Sequence, residues 1–166
     1  PVLGDGSVRP TLSRIRETVF NWIRHDIEIA GCKVLDLFCG SGVLGLEAMS
    51  RGAESACFVD CNMECIVIVE SLLTRLNARH KATLINEEVS SWLGHNIGKQ
   101  YDLVFIDPPF AFDNPEMYLS KAKHLVKKNG LVYLENKRSA SITLDSEVEC
   151  WRSARAGTIH YGLYRI

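Results

Sequence analysis

Asp107-Pro108-Pro109-Phe110 closes an apolar run that begins at Tyr101. An acid held in place by two prolines suits one kind of chemistry. An exocyclic amine on guanine or adenine is a poor nucleophile, because its lone pair is delocalised into the ring. A carboxylate and a backbone carbonyl can accept its two N–H bonds, which turns the lone pair out of the ring plane toward a methyl donor. Prolines fix the backbone and remove a competing N–H. Phe110 can stack on the base, worth about 1–3 kcal/mol. Taken alone, the four residues could equally be a strand-ending turn with a buried Phe; what precedes them favours the base pocket.

That preceding feature is Asp36-Leu37-Phe38-Cys39-Gly40-Ser41-Gly42-Val43-Leu44-Gly45. Gly40-x-Gly42-x-x-Gly45 matches the dinucleotide fingerprint, following a strand and opening a helix as that motif requires. Glycines let the backbone approach a ligand closely, and the helix start favours a negative group. NAD, FAD and adenosylmethionine binders share this much, so an NAD-linked oxidoreductase stays open on the glycines alone. Two acids shift the reading. Asp36 sits in the strand end, where a pyrophosphate gains nothing from a carboxylate and a methionine ammonium does. Asp60 ends the next strand, 20 residues after Gly40, where a carboxylate can accept both ribose hydroxyls.

The elements that must position these residues alternate short apolar runs with amphipathic stretches, the βαβ signature of a mostly parallel, doubly wound α/β sheet. An opening helix is expected from Ser13 to about Ile27, with Ser13 as its N-cap and Pro10 blocking extension backward. Strands are expected over Lys33–Phe38, Ser55–Asp60, Ala82–Asn86, Tyr101–Asp107 and Leu131–Glu135. Helices are expected near Val43–Arg51 (closed by Gly52), Met63–Asn77, around Ser90 to Trp92, and Pro115–Lys128, the last ending at Asn129-Gly130. The stretches Glu147–Arg152 and Thr158–Tyr164 read as a terminal antiparallel pair. In an open parallel sheet ligands bind outside the carboxyl ends of the strands near the switch point. Asp107 and the Gly40 loop should therefore face one crevice.

Bulk properties bound the rest. The 166 residues, with net charge −1, 46% hydrophobic and 23% charged, suit one soluble domain without a membrane span or secretory signal. The absent initiator Met suggests that the chain begins inside a longer one. Any nucleic-acid surface must be local: Arg9, Arg14, Arg16 and Arg24 form one candidate, and Lys121, Lys123, Lys127, Lys128, Lys137 and Arg138 a second that reads equally as a solvated face. Cys57, Cys61 and Cys65 lack the spacing of a zinc site, so the six cysteines are expected to be reduced thiols in a cytoplasmic protein and no metal is expected.

Arg9-Pro10-Thr11, Arg14-Ile15-Arg16-Glu17-Thr18-Val19-Phe20-Asn21-Trp22-Ile23, Asp36 to Ala48 and Asp107 to Phe110 resemble, in order and spacing, the bacterial 16S ribosomal RNA guanine-N2 methyltransferase family, within the class I S-adenosylmethionine-dependent methyltransferases. The resemblance spans nearly the whole chain. It implies a seven-stranded Rossmann-like sheet, a monomer, and methylation of one flipped-out guanine, with S-adenosylhomocysteine as product. Carried over, Asp36, Gly40 and Gly42 would hold the methionine part, Asp60 the ribose, and Glu88 with Val89 would flank the adenine, with Phe38, Ser41 and Cys61 also in the cofactor site. Asp107, Pro108, Pro109 and Phe110 would hold the guanine, and Thr11 and Arg16 would reach the cofactor. Ribosomal RNA, within a small-subunit particle, is the implied partner. Leu12-Ser13 and Glu87-Glu88 depart from the family pattern, and the resemblance does not extend to its basic N-terminal hairpin. The alternatives are an adenine-N6 DNA methyltransferase and a non-catalytic ribosome-assembly or RNA-binding module of the same fold.

Overall fold

The computed structural model describes residues 8–98, 101–109, 114–136, 144 and 146–166, with side chains from residue 13 onward. Its strands are β1 (Lys33–Leu37), β2 (Ser55–Asp60), β3 (Ala82–Asn86), β4 (Tyr101–Ile106), β5 (Val126–Asn136), β6 (Glu149–Ala156) and β7 (Ile159–Arg165). They form one seven-stranded sheet in the order β3-β2-β1-β4-β5-β7-β6. The first five are parallel, and β7 lies antiparallel between β5 and β6. The chain winds outward from β1 to β3 and then returns to β4. The switch point thus falls between β1 and β4, as the sequence pattern implies.

Both faces of the sheet are covered because successive residues of a strand point to opposite sides. In β4, Leu103 and Phe105 enter one layer while Val104 and Ile106 enter the other. Helices α1 (Val8–Asp26), α2 (Val43–Ser50) and α3 (Met63–Arg75) cover the first face, contributing Ile15, Val19, Phe20, Ile23, Ala48, Ile66, Val69 and Leu73. Helices α4 (Val89–His95) and α5 (Pro115–Ala122) cover the second with Trp92, Leu93, Tyr118, Leu119 and Ala122. Full burial of one such Leu, Ile or Phe contributes roughly 1.5–3 kcal/mol. Among the described residues no helix is long and apolar enough to cross a membrane.

Some boundaries differ from those expected from the sequence, each for a local reason. Helix α1 starts at Val8 instead of Ser13. Pro10 falls in the first turn, where a missing N–H costs nothing, and Ser13 is an interior position. Strand β1 stops at Leu37 because Phe38 takes a left-handed conformation, φ 58. Helix α3 ends at Arg75, two residues early, and Asn77 (φ 54) turns the chain away.

The largest difference concerns Asn129-Gly130, which lies inside β5 and ends no helix. Helix α5 stops at Ala122, a short 3-10 turn follows, and Val126 already pairs with Tyr101. The next pair is Leu103 with Leu131, so residues 127–130 bulge from the ladder. Asn129 has φ 66, its N–H donates to the Ile166 carbonyl at 2.8 Å, and the Ile166 N–H donates to the Gly130 carbonyl at 3.2 Å. Asn-Gly tolerates left-handed backbone at a helix end and in a bulge alike, so the dipeptide does not distinguish them. The bulge sets Lys127 Nζ 2.8 Å from Asp102 Oδ1, whose Oδ2 accepts the Lys33 N–H at 2.8 Å. Lys127 is thereby engaged within the fold.

Candidate functional site

Register aligns Phe58 of β2, Asp36 of β1, Phe105 of β4 and Tyr133 of β5 in one row across the sheet. Two positions further along these segments stand Asp60, Phe38, Asp107 and Glu135. Asp60 and Glu135 continue that row at the carboxyl ends of their strands, toward the face covered by α1, whereas Phe38, past the end of β1 at positive φ, turns its ring to Tyr118 on the opposite face. Topology therefore gathers Asp60, Asp107 and Glu135 at the carboxyl end of the sheet.

Asp36 and Glu135 are buried charged residues, 2% and 8% exposed. Asp36 Oδ2 accepts the Gly45 N–H of α2 at 2.8 Å. Burial pushes the Asp36 carboxyl up to about 8; the Gly45 bond opposes this, and the neighbouring Asp107 and Asp60 charges add to it. Gly45 is required by close approach. A Cβ there would stand 2.4 Å from Phe58 Cε1 and 2.9 Å from Asp36 Oδ2. Gly45→Ala should cost about 1–3 kcal/mol by overpacking, read as a lower urea midpoint at unchanged slope. A midpoint equal to wild type would mean that Phe58 yields freely.

Gly40 serves a different need. Its φ is 52 and, among the described residues other than its chain neighbours, no atom lies within 4 Å of where its Cβ would be, so the loop leaves open space above it. Its N–H donates to Asp60 Oδ2 at 2.8 Å, while Asp60 Oδ1 accepts the Asn62 N–H at 2.8 Å. Asp60 thus ties the glycine loop to the end of β2. Asn86 Nδ2 donates to the carbonyls of Asp60 and Cys61 at 3.1 and 3.0 Å, holding that strand end against β3.

Two cavities open here. One, about 300 Å³, is lined by Ile15, Arg16, Asp36, Phe38, Gly40, Ser41, Asp107, Tyr133 and Glu135 among others. The second, about 440 Å³, is lined by Phe38, Gly40, Asp60, Cys61, Glu88, Val89, Asp107, Pro108 and Pro109 among others. Phe38, Gly40 and Asp107 border both. The Phe38 ring meets Tyr118 edge-on, centroids 4.9 Å apart. A bulky residue at positive φ is uncommon and persists where its surroundings hold it.

Of the residues singled out in the sequence, Arg16, Asp36, Phe38, Gly40, Ser41, Asp60, Cys61, Glu88, Val89, Asp107, Pro108 and Pro109 all border this pair of cavities. Gly42 lines neither; it lies beneath the loop, where a Cβ would stand 2.8 Å from Val69 Cγ2. Arg14 and Arg24 are exposed on α1 and also line neither. Phe110 and the side chains of Arg9 and Thr11 lie outside the described residues, as do Lys137 and Arg138. Of the two adjacent acids after β3, Glu88 faces the cavity and caps α4 through the Ser91 N–H at 2.8 Å. Glu87 turns to the Ser91 hydroxyl at 2.8 Å and His95 at 3.6 Å.

Tyr133, Glu135 and Asn86 belong to the site, and sequence patterning does not single them out. Glu135 carries a usable signal, an acid at the carboxyl end of an apolar strand, the same feature that marks Asp107. All six cysteines are free thiols; Cys39, the one behind the loop, is buried, and desolvation raises its thiol far above the ordinary range. Among the described residues no group of His, Cys, Asp or Glu is arranged to hold a metal ion.

The model of the family described as Conserved hypothetical protein 95 matches residues 2–165. The chain belongs to this family. Its relatives include ribosomal RNA small subunit methyltransferase D of Escherichia coli (strain K12), 34% identical over 172 residues that span 99% of this chain and 83% of that protein. The Haemophilus influenzae protein of the same name is 31% identical, spanning 99% and 86%. Among solved structures, yhhF from Escherichia coli superposes with a TM-score of 0.82 at 30% identity, covering 92% of this chain and 84% of that one. A conserved hypothetical protein from Streptococcus pyogenes gives 0.80 at 29%, covering 90% and 94%. The family is the one that the motifs around Arg16, Asp36 and Asp107 resemble, and its sheet is the Rossmann-like methyltransferase sheet expected from the sequence.

Proposed function

We propose that this chain transfers a methyl group from S-adenosylmethionine to the exocyclic N2 of a guanine in small-subunit ribosomal RNA. Membership of the family supports S-adenosylmethionine-dependent methylation of ribosomal RNA. The finer assignment rests on one observation: the Asp36–Gly40–Asp60 loop and Asp107-Pro108-Pro109 border adjoining cavities that share Phe38, Gly40 and Asp107.

The residues present fit the cofactor. Asp36 offers a buried carboxylate to a methionine ammonium, Arg16 a cation to its carboxylate, and the space above Gly40 leaves the backbone open to close approach. Asp60 retains lone pairs for ribose hydroxyls while holding the Gly40 N–H. Val89 and Cys61 supply walls for the adenine end. S-adenosylmethionine brings an electrophilic methyl on a sulfonium. The protein's own part is positioning and hydrogen bonding toward developing charge. Asp107 accepts one N2–H and directs the lone pair toward the loop. Pro108 and Pro109 hold the adjoining backbone so that a carbonyl can take the second N–H, and Phe110 stacks on the base. Arg9, Arg14 and Arg24 supply phosphate contacts, two of them from the exposed side of α1. The protein acts as a monomer, on the RNA within a small-subunit particle.

Small-subunit particles reconstituted from unmodified transcript RNA, free 16S RNA and duplex DNA, each incubated with the protein and tritiated S-adenosylmethionine, test this. Digestion to nucleosides and mass spectrometry should find N2-methylguanosine in the RNA. Label on N6 of adenine in DNA would replace the reading with its rival, and no transfer to any acceptor would point to an assembly module.

A further inference from the structure

Glu135 has no part in the chemistry above, yet it is a buried carboxylate on the wall of the same cavity as Asp107. Leu134 pairs with Ile106, so Glu135 within β5 and Asp107 just past the end of β4 each follow that pair. Tyr133 stands two residues earlier on the same face, its ring 6.2 Å from that of Phe105. Its hydroxyl donates to Glu135 Oε2 at 2.8 Å. Burying a carboxylate is costly unless hydrogen bonds satisfy it, and a hydrophobic residue would close this strand at lower cost. The Tyr133–Glu135 pair is a fixed acceptor facing the cavity.

We propose that Glu135 is the residue that selects guanine, accepting the base's N1–H while Asp107 accepts an N2–H; this rests on the function proposed above. Guanine presents N1–H and N2–H donors side by side on its pairing edge. Adenine and 2-aminopurine present a bare N1 lone pair there, which a carboxylate acceptor opposes. A site built to hydrogen-bond a substrate N–H rejects the analogue that lacks it far more strongly than an apolar wall can. Flipped bases are read along this same edge. Glu135 lies within β5 and Asp107 directly follows the last residue of β4, so the sheet brings the two acids to one edge of the cavity.

2-Aminopurine separates the two acids, because it keeps the N2 amine that Asp107 handles and loses the N1–H together with O6; the loss of O6 is common to wild type and variant, so the change in preference between them reads the N1–H contact. Small-subunit particles are first methylated by the wild-type protein and the modified guanine is mapped. Particles are then rebuilt with guanine or 2-aminopurine at that position. The wild type should prefer guanine by about a hundredfold or more in kcat/KM. In Glu135→Gln the amide can donate to a bare N1 and still accept from Tyr133, so the preference should fall at least about tenfold. Fluorescence of the 2-aminopurine particle, titrated with protein and S-adenosylhomocysteine, should show tighter binding by the variant. Melting temperature should match wild type. If Glu135→Gln does not fold, Tyr133→Phe, which removes the anchoring donor, should lower the same ratio several-fold. Wild-type methylation of guanine with an unchanged preference in the folded variant overturns the Glu135 assignment alone. Absence of N2-methylguanosine with the wild type overturns the proposed function and this inference together.

Discussion

Asp107→Ala should abolish methyl transfer, with kcat falling about 10²–10⁴-fold, while the affinity for S-adenosylhomocysteine stays near wild type. The two readouts separate because Asp107 borders both cavities but is proposed to hold the base. Its negative charge also helps to keep the Asp36 carboxyl protonated, so removing it makes Asp36 easier to ionise and leaves cofactor binding unharmed. Asp107→Asn keeps the shape and one acceptor, and should recover part of the loss. Single-turnover transfer to small-subunit particles and calorimetric titration with S-adenosylhomocysteine measure the two sides. A variant with near-normal transfer would remove Asp107 from the chemistry. A variant with both functions lost would make it part of the cofactor site.

The second large effect is on Asp36. Asp36→Ala should weaken S-adenosylhomocysteine binding by about 2–5 kcal/mol, because truncating one partner of a buried charge pair leaves the other unpaired. The pH dependence is more specific. The folded carboxyl titrates near 8 against an ordinary 3.8, so between those values the folded protein holds a proton that the unfolded chain has released. Stability from this group is fully present below about pH 4 and is lost as pH rises toward and through 8. An ammonium partner reverses the preference by favouring the ionised form. Cofactor binding below pH 8 should therefore release a proton, and affinity should climb from pH 6 to 8. Titrations in two buffers of different ionisation enthalpy count that proton, and Asp36→Asn should lose both the release and the slope. Proton release of zero at pH 7 in the wild type would mean that the ammonium lies elsewhere.

Much of this site is legible in the sequence. Asp36, the Gly40 loop, Asp60 and Asp107 each sit at the end of an apolar run, and parallel sheets leave strand ends as the place where polar groups converge on a ligand. The alternation of strands and helices follows from the same periodicity, and parallel crossovers carry a fixed hand. Legibility fails where one residue type serves two geometries. Asn129-Gly130 satisfies a helix end and a bulge equally, and only the ladder between β4 and β5 shows which one formed.

From the residues themselves comes the chemistry: a carboxylate for an ammonium, a glycine loop for close approach, an acid before two prolines for an amine. Local spacing suffices, because each motif lies within a few residues of one strand end. Tertiary structure decides what no spacing carries. It sets Glu135 beside Asp107 and gives it a tyrosine donor. It chooses Glu88 over Glu87 for the cavity wall, and it turns Asp60 inward to hold Gly40. Those choices depend on register between strands distant in sequence, and register is settled only when both faces of the sheet are packed.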